Sequence, residues 1–152
     1  DALRQLSAAL AYLHAQGINH RDVKLDNAVL DRRDGRVKLI DFGFSKRLRR
    51  GAREQLHCGT PSYLSPEAVR GEESPCLPAD VWALGVVFHC LLRGAFPFQG
   101  ATEEALFAQI AEGQPAAGTD RAAELLRRCL AKDWRLRISA QSLTDFLSAE
   151  GA

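Results

Sequence analysis

Asp34-Gly35 stands between two short apolar runs, residues 28–30 and 37–40, and this punctuation constrains the chain more than any other feature. Asp-Gly flanked by apolar residues is a strong signal for a β-hairpin, because both residues tolerate the backbone of a sharp reversal. An antiparallel hairpin brings its two outer ends together. Here those ends carry Asn27 and Asp41, so an amide oxygen and a carboxylate that are distant in sequence become neighbours. The stretch just before the ribbon, from His20 to Asn27, is too rich in charge for a strand and reads as a loop.

The rest of the pattern is helical. Leu3, Leu6, Leu10 and Leu13 recur at helical spacing, and Gly17 supplies a stop. Residues 44–64 lack apolar periodicity and hold Lys46, Arg47, Arg49, Arg50 and Arg53, which reads as a long solvated loop. Ser65-Pro66 predicts a cap and first-turn proline opening a short helix. Pro78 opens a helix to about Arg93 that is apolar on nearly every face, hence buried all round. Thr102 caps another, with Glu103 and Glu104 in its first turn and its end near Gly113. Asp120 and Ser139 start the last two, which turn Leu125, Leu126, Cys129 and Leu130, then Leu143, Phe146 and Leu147, inward. The expected fold class is mainly α with a small β-hairpin.

Composition removes several alternatives. The formal charge of +1 on 152 residues argues for no nucleic-acid or membrane partner. The longest apolar stretch, 81–92, is short of a membrane span and contains His89. Cys58, Cys76, Cys90 and Cys129 form no C-x-x-C pair, which disfavours a zinc site or disulfide framework and points to a cytoplasmic or nuclear setting. His14, His57 and His89 lack metal-ligand spacing and read as core or loop residues. The chain has no methionine and opens on Asp1, which predicts a piece of a longer protein.

Two motifs carry chemistry. His20-Arg21-Asp22-Val23-Lys24-Leu25-Asp26-Asn27 fits H-R-D-x-x-x-x-N, and Asp41-Phe42-Gly43 follows the hairpin. In this order and spacing the chain resembles the C-terminal lobe of a eukaryotic protein kinase of the serine/threonine type, in the style of the calcium/calmodulin-dependent or AMP-activated groups. The resemblance covers residues 1–150 as one partial catalytic domain, the C-lobe only. It implies that Asp22 orients the attacking hydroxyl and that Lys24 steadies the transferred phosphoryl group. Asn27 and Asp41 are implied to hold Mg2+, and Val29 to floor the ATP pocket. Thr60, in Cys58-Gly59-Thr60-Pro61, is implied to hydrogen-bond the catalytic Asp and Lys. Asp80 is implied to receive backbone N–H groups of the catalytic loop, His20 to pack on Phe42, and Glu67 to pair with Arg137. The expected partner is a protein substrate with a Ser/Thr acceptor.

Three departures matter. Leu56 occupies the position of the family's usual activating phosphosite, and no Ser, Thr or Tyr lies between Ser45 and Thr60. Arg21 therefore lacks its usual phosphate, and Glu54 is a candidate fixed charge in its place. Cys90 stands where some basophilic relatives have a glutamate, which predicts a weaker preference for basic peptides, although Asp26 keeps one acid. Trp134 replaces a usual proline. No G-x-G-x-x-G loop, V-A-I-K-type strand lysine or partner glutamate helix is found in the sequence, so the parts of the N-lobe that cover a nucleotide are absent from this chain. The expectation is that this segment alone is inactive. The alternative reading is a non-catalytic kinase-lobe scaffold, against which retention of the metal ligands argues.

Overall fold

In the computed structural model, which describes residues 1–49, 51–56, 58–115 and 121–149, the hairpin forms where the turn signal puts it. Strand β2 (Ala28–Asp31) pairs antiparallel with β3 (Arg36–Leu39), in the register Ala28 with Leu39 and Asp31 with Arg36. Gly35 alone takes a positive φ in the reversal (70°), and its N–H reaches Asp31 O at 2.9 Å. Four residues thus make the loop.

Before this ribbon, α1 (Ala2–Ala15) buries Leu6 and Leu10 and gives way at Gly17 (φ 67°). A two-residue strand β1 (Ile18–Asn19) follows and pairs with β4 (Lys46–Arg47). Sequence reading placed 44–64 in a loop, and this pairing corrects it. A two-residue strand leaves no periodic signature, and its partner lies across the loop at residues 20–27 and the hairpin. The loop also contains a 3-10 turn at Pro61–Tyr63 and an isolated bridge between Glu54 and Ser74.

The short α2 (Pro66–Val69) starts as expected on a first-turn proline. Ser65 sits at its N-cap, but the hydroxyl is buried and makes no hydrogen bond, so the proline rather than a side-chain cap starts the turn. Helix α3 (Leu77–Arg93) is the centre of the core, and every residue from Asp80 to His89 is buried. Burial fails in its last turn, where Leu91 and Leu92 are exposed and the chain leaves the core at Gly94 (φ 70°). Trp82 stacks on Phe98 with ring centroids 5.5 Å apart and an interplanar angle of 7°. Such fully buried large side chains each contribute about 1.5–3 kcal/mol.

Helix α4 (Glu103–Glu112) is capped by Thr102, whose hydroxyl accepts the Ala105 N–H at 3.2 Å. Helix α5 (Arg121–Cys129) turns Leu125, Leu126 and Cys129 inward, with Leu130 buried just beyond it. It lies so close to α3 that a Cβ on Gly85 would sit 2.7 Å from Cys129 Cβ. Ser139 caps α6 (Ala140–Ser148) through Ser142 N–H at 3.1 Å. In α6, Leu143 is fully buried, while Phe146 and Leu147 are partly buried against the core. The expected start at Asp120, Arg50 of the basic cluster, His57 and the domain end at 150 lie outside the described residues.

Among the described residues the fold is mainly α with two small antiparallel sheets. Among the described residues no helix is long and apolar enough to cross a membrane. All four cysteines are free thiols, and burial pushes the Cys129 thiol up to about 12.

Candidate active site

The site is built outward from α3. Asp80, in its first turn, is 2% exposed and holds the loop that precedes the hairpin. Its carboxylate accepts the backbone N–H of His20 at 2.8 Å and that of Arg21 at 2.9 Å, and contacts His14 Nε2 at 3.0 Å. The two backbone bonds are those the sequence implied. The His14 contact is new, because an isolated histidine on α1 carries no sign of its partner. Arg21 has a φ of 68°, a left-handed conformation disfavoured for a side chain of this kind, and Asp80 holds it there.

The loop then turns Asp22 inward. Asp22 Oδ2 lies 2.9 Å from Lys24 Nζ and accepts a 3.0 Å hydrogen bond from Asn27 Nδ2. Asn27 Nδ2 also donates to the Asp22 backbone carbonyl at 2.8 Å. Lys24 Nζ donates to Thr60 Oγ1 at 3.3 Å. Four of the sequence-derived site residues, Asp22, Lys24, Asn27 and Thr60, therefore form one network. The hydrogen bond to Asp22 raises the Lys24 pKa above its ordinary value, with Asp26 and Asp41 adding electrostatically against partial desolvation, so the ammonium stays charged. A second tie was not legible in the sequence. Tyr63 OH accepts the Leu25 N–H at 3.4 Å, linking this loop to the 3-10 turn after Thr60.

The hairpin delivers the remaining pair. Ile40 N–H reaches Asn27 O at 2.9 Å, extending the β2–β3 ladder by one step at its open end. Asp41 is the next residue, exposed, with a φ of 60° and its Oδ1 accepting Gly43 N–H at 3.0 Å. Phe42 packs on His20 with centroids 5.0 Å apart, as the sequence implied, and His20 Nε2 meets Ile40 O at 3.2 Å. Val29, on β2, is 43% exposed.

The donor set suits a hard divalent cation. Asn27 uses its nitrogen toward Asp22, which leaves the amide oxygen as the ligand atom, and Asp41 adds a carboxylate. Among the described residues no group of three or more His, Cys, Asp or Glu could hold a metal. An ion here would rest on these two side chains plus water and phosphate oxygens, which is the way Mg2+ is commonly held.

Farther out, Glu67 and Arg137 form a bidentate pair at 2.7 and 2.9 Å, with side chains 1% and 0% exposed. It ties the segment ending at α2 to the loop before α6. Glu54 pairs with both Arg21 and Lys46.

A loop carboxylate ringed by a lysine, an asparagine and a threonine, with a second carboxylate delivered by a hairpin, is a set of groups suited to bind and polarise an anionic, metal-associated ligand. The family model described as protein kinase domain matches residues 1–146, and the chain belongs to that family. It is 43% identical to NUAK family SNF1-like kinase 2 of Rattus norvegicus over 72% of this chain and 17% of that protein. It is 38% identical to CBL-interacting protein kinase 25 of Oryza sativa over 93% of this chain and 29% of the relative. Serine/threonine-protein kinase RAD53 of Saccharomyces cerevisiae is 32% identical over 95% of this chain and 18% of its own length. The chain thus spans well under a third of each of these relatives.

Proposed function

We propose that this chain is the C-terminal lobe of a serine/threonine protein kinase, and that the protein carrying it transfers the γ-phosphoryl group of ATP to a protein hydroxyl. The observation that carries this reading is the shared network of Asp22, Lys24, Asn27 and Thr60. In this reading Asp22 Oδ accepts a hydrogen bond from the acceptor hydroxyl and takes its proton as the new O–P bond forms and the bond from the γ-phosphorus to the bridging oxygen breaks, releasing ADP. Lys24 stands beside it and stabilises the negative charge on the transferred group. Thr60 fixes the Lys24 ammonium. Asn27 and Asp41 hold Mg2+, which when bound neutralises phosphate charge. Val29 supplies part of the surface beneath the nucleotide.

The exposed apolar side chains around the hairpin support a covering lobe. Val29, Leu30, Ile40, Phe42 and Phe44 are 41–55% exposed, whereas the apolar stripe of α1 is packed against β3 and α6. Around Phe42 and the first helix, the large exposed apolar side chains are those of the hairpin and residues 40–44, together with Tyr12. In this reading a G-x-G-x-x-G loop and a V-A-I-K-type strand lysine, neither of which occurs in these 152 residues, complete the nucleotide site from another part of the protein. A pure scaffold has no physical need for metal ligands, so the presence of Asp22, Lys24, Asn27 and Asp41 together favours the enzyme over the docking-module alternative.

The test is phosphate transfer by the full-length protein, with Mg-ATP and a Ser/Thr peptide library. Asp22→Asn is expected to lower kcat by about 10²–10⁴-fold. Asp41→Ala should be at least as damaging, and residues 1–152 alone should show negligible turnover. Asp22→Asn or Asp41→Ala with wild-type kcat would overturn the reading.

A further inference from the structure

Gln5 lies near the start of α1, half-buried, and its side-chain amide meets the hairpin at the closed end, away from the metal ligands. Its Oε1 accepts the Val37 N–H at 2.9 Å, and its Nε2 donates to Gly35 O at 3.2 Å. Nε2 also donates to Asp1 Oδ2 at 2.8 Å. A backbone N–H can only donate, whereas a carbonyl and a carboxylate can only accept, so these three partners fix which way the amide points. Gln5 is the first of these residues in α1 to touch backbone more than 30 positions along the chain, and it does so with both ends of its amide.

The strand register explains why Val37 N–H is open to a side chain. Ile40 N–H bonds Asn27 O, and alternation along the antiparallel pair then turns the Lys38 N–H toward β2 and the Val37 N–H away from it. The sheet has two strands, so Val37 N–H stands on the free edge of β3. Groups on such an edge need a partner from elsewhere. Gln5 brings one acceptor and one donor to that edge, as a neighbouring strand would. Val37 and Leu39 also pack against the core, but apolar contact is non-directional and leaves the tilt of the ribbon loosely set. The amide bonds are directional and remove that freedom.

We infer that Gln5 is a positioning residue for the metal-ligand pair: by occupying the free edge of β3 it sets the tilt of the hairpin on α1, and with it the place of Asp41 and Val29 relative to Asp22. The hairpin then has two anchors. Asn27 holds its open end through bonds to Asp22, and Gln5 holds its closed end. Four residues of β3 separate them, about 13 Å of strand, so a swing at the turn is carried along a stiff lever. Asp41 follows β3 by two residues, and its own printed tie is local, to Gly43 N–H at 3.0 Å, so its place follows the ribbon. The same helix leads through Gly17 to the loop that carries Asp22, which gives both carboxylates one reference element. The catalytic consequence rests on the kinase reading. A misplacement near 1 Å at a reacting group is enough to lower a rate by about 10²-fold, so a fraction of that displacement is measurable.

The experiment compares the full-length protein with its Gln5→Met and Gln5→Glu variants in two assays. Amide hydrogen exchange at Val37 reports the tether without requiring activity. Steady-state rates at varied Mg2+, ATP and peptide report its consequence. Gln5→Met keeps the length of the side chain and removes both bonds, and is expected to speed exchange at Val37 by about tenfold or more. It should lower kcat by about tenfold. The Mg2+ needed for half-maximal rate should rise by about threefold or more. Peptide KM should stay within about twofold, because the peptide does not meet the hairpin. Gln5→Glu keeps an acceptor for Val37 N–H and loses the donor to Gly35 O, so it should fall between wild type and Gln5→Met in each measurement. Wild-type exchange at Val37 in Gln5→Met would overturn the tether. Faster exchange with wild-type kcat and Mg2+ dependence would overturn the positioning role, as would a kcat that falls only in step with Tm while the Mg2+ dependence stays fixed. If the wild type transfers no phosphate at all, the kinase reading fails and exchange at Val37 alone decides the tether.

Discussion

Arg137→Met tests the deepest ion pair in the molecule. Arg137 Nη1 and Nη2 donate to the two oxygens of Glu67 at 2.7 and 2.9 Å. Nη1 also reaches Pro78 O at 2.8 Å, and Nε reaches Ala131 O at 3.1 Å. Both charged side chains are essentially without solvent contact, 0% and 1% exposed. The substitution keeps much of the side chain's volume, so packing changes little and electrostatics decides the outcome. It leaves a buried carboxylate with its cation gone, and removes one donor from each of two carbonyls. Breaking a buried pair from one side destabilises by about 3–5 kcal/mol. Replacing both partners is a different perturbation, because no charge is then left behind and the result is often neutral. Domains of ordinary size are stable by about 5–15 kcal/mol, so the single variant should lose a large part of its stability. The double variant Glu67→Leu with Arg137→Met should regain most of it.

Urea denaturation followed by circular dichroism reads this directly, as a fall in the midpoint at constant slope. A single Arg137→Met that loses less than about 1 kcal/mol would refute the reasoning, since that is the size of an exposed pair and not a buried one. A double variant no better than the single would do the same. It would show that the pair's hydrogen bonds to Pro78 and Ala131, rather than the stranded charge, dominate.

Three further outcomes are expected. Gly85→Ala places a methyl 2.7 Å from Cys129 Cβ and 3.0 Å from Leu130 Cδ2. Overpacking of this kind should destabilise by about 1–3 kcal/mol, read as a lower Tm, and an unchanged Tm would mean that α5 moves freely. Lys46 first, then Arg21, hold the Glu54 carboxyl below its usual range. A depressed acid stabilises above its unfolded value and loses that contribution as pH falls through the folded one. The Tm gap between wild type and Glu54→Gln should therefore be full at pH 7 and close below the ordinary glutamate value of about 4.5. Cys90 is half-buried near the end of α3, and Asp26 is exposed in the catalytic loop. In a peptide array on the full-length protein, Cys90→Glu should strengthen selection for an upstream arginine, and an array already dominated by that arginine would count against the assignment.

Legibility in the sequence followed the range of the interaction. The hairpin, the caps at Thr102 and Ser139, and the inward faces of α5 and α6 depend on residues within a few positions of one another, and the pattern alone disclosed them. The site at Asp22 was legible through the family resemblance carried by its motif, while the bonds that join Asp22 to Lys24 and Asn27 came only from the structure. Ties across long separations were readable only through the family resemblance, as with Glu67 and Arg137 or Asp80 and the loop N–H groups. Those the resemblance did not include stayed hidden: β1 with β4, His14 with Asp80, Tyr63 OH with Leu25. Two-residue strands and single hydrogen bonds have no period to detect. Ser65 shows the opposite failure, a locally correct capping signal whose hydroxyl makes no hydrogen bond in the folded chain.

The distribution of these ties explains how loops carry chemistry here. Asp22 makes no direct hydrogen bond to α3, yet its backbone is fixed on both sides. Upstream, Asp80 grips His20 and Arg21 N–H groups from the first turn of a helix that is buried from Asp80 to His89. Downstream, Asn27 clasps the Asp22 carbonyl, and its own backbone oxygen joins the hairpin through Ile40. A loop held this way inherits its precision from the elements at its ends. The sequence need specify only a few polar atoms within it. Asp80→Asn makes the argument concrete. One of its two backbone bonds loses its acceptor, because an amide offers only one oxygen. The helix should remain folded while Asp22 loosens, so kcat in the full-length protein should fall by far more than the Tm shift would suggest. A proportional loss of both would mean that Asp80 serves the core and not the loop.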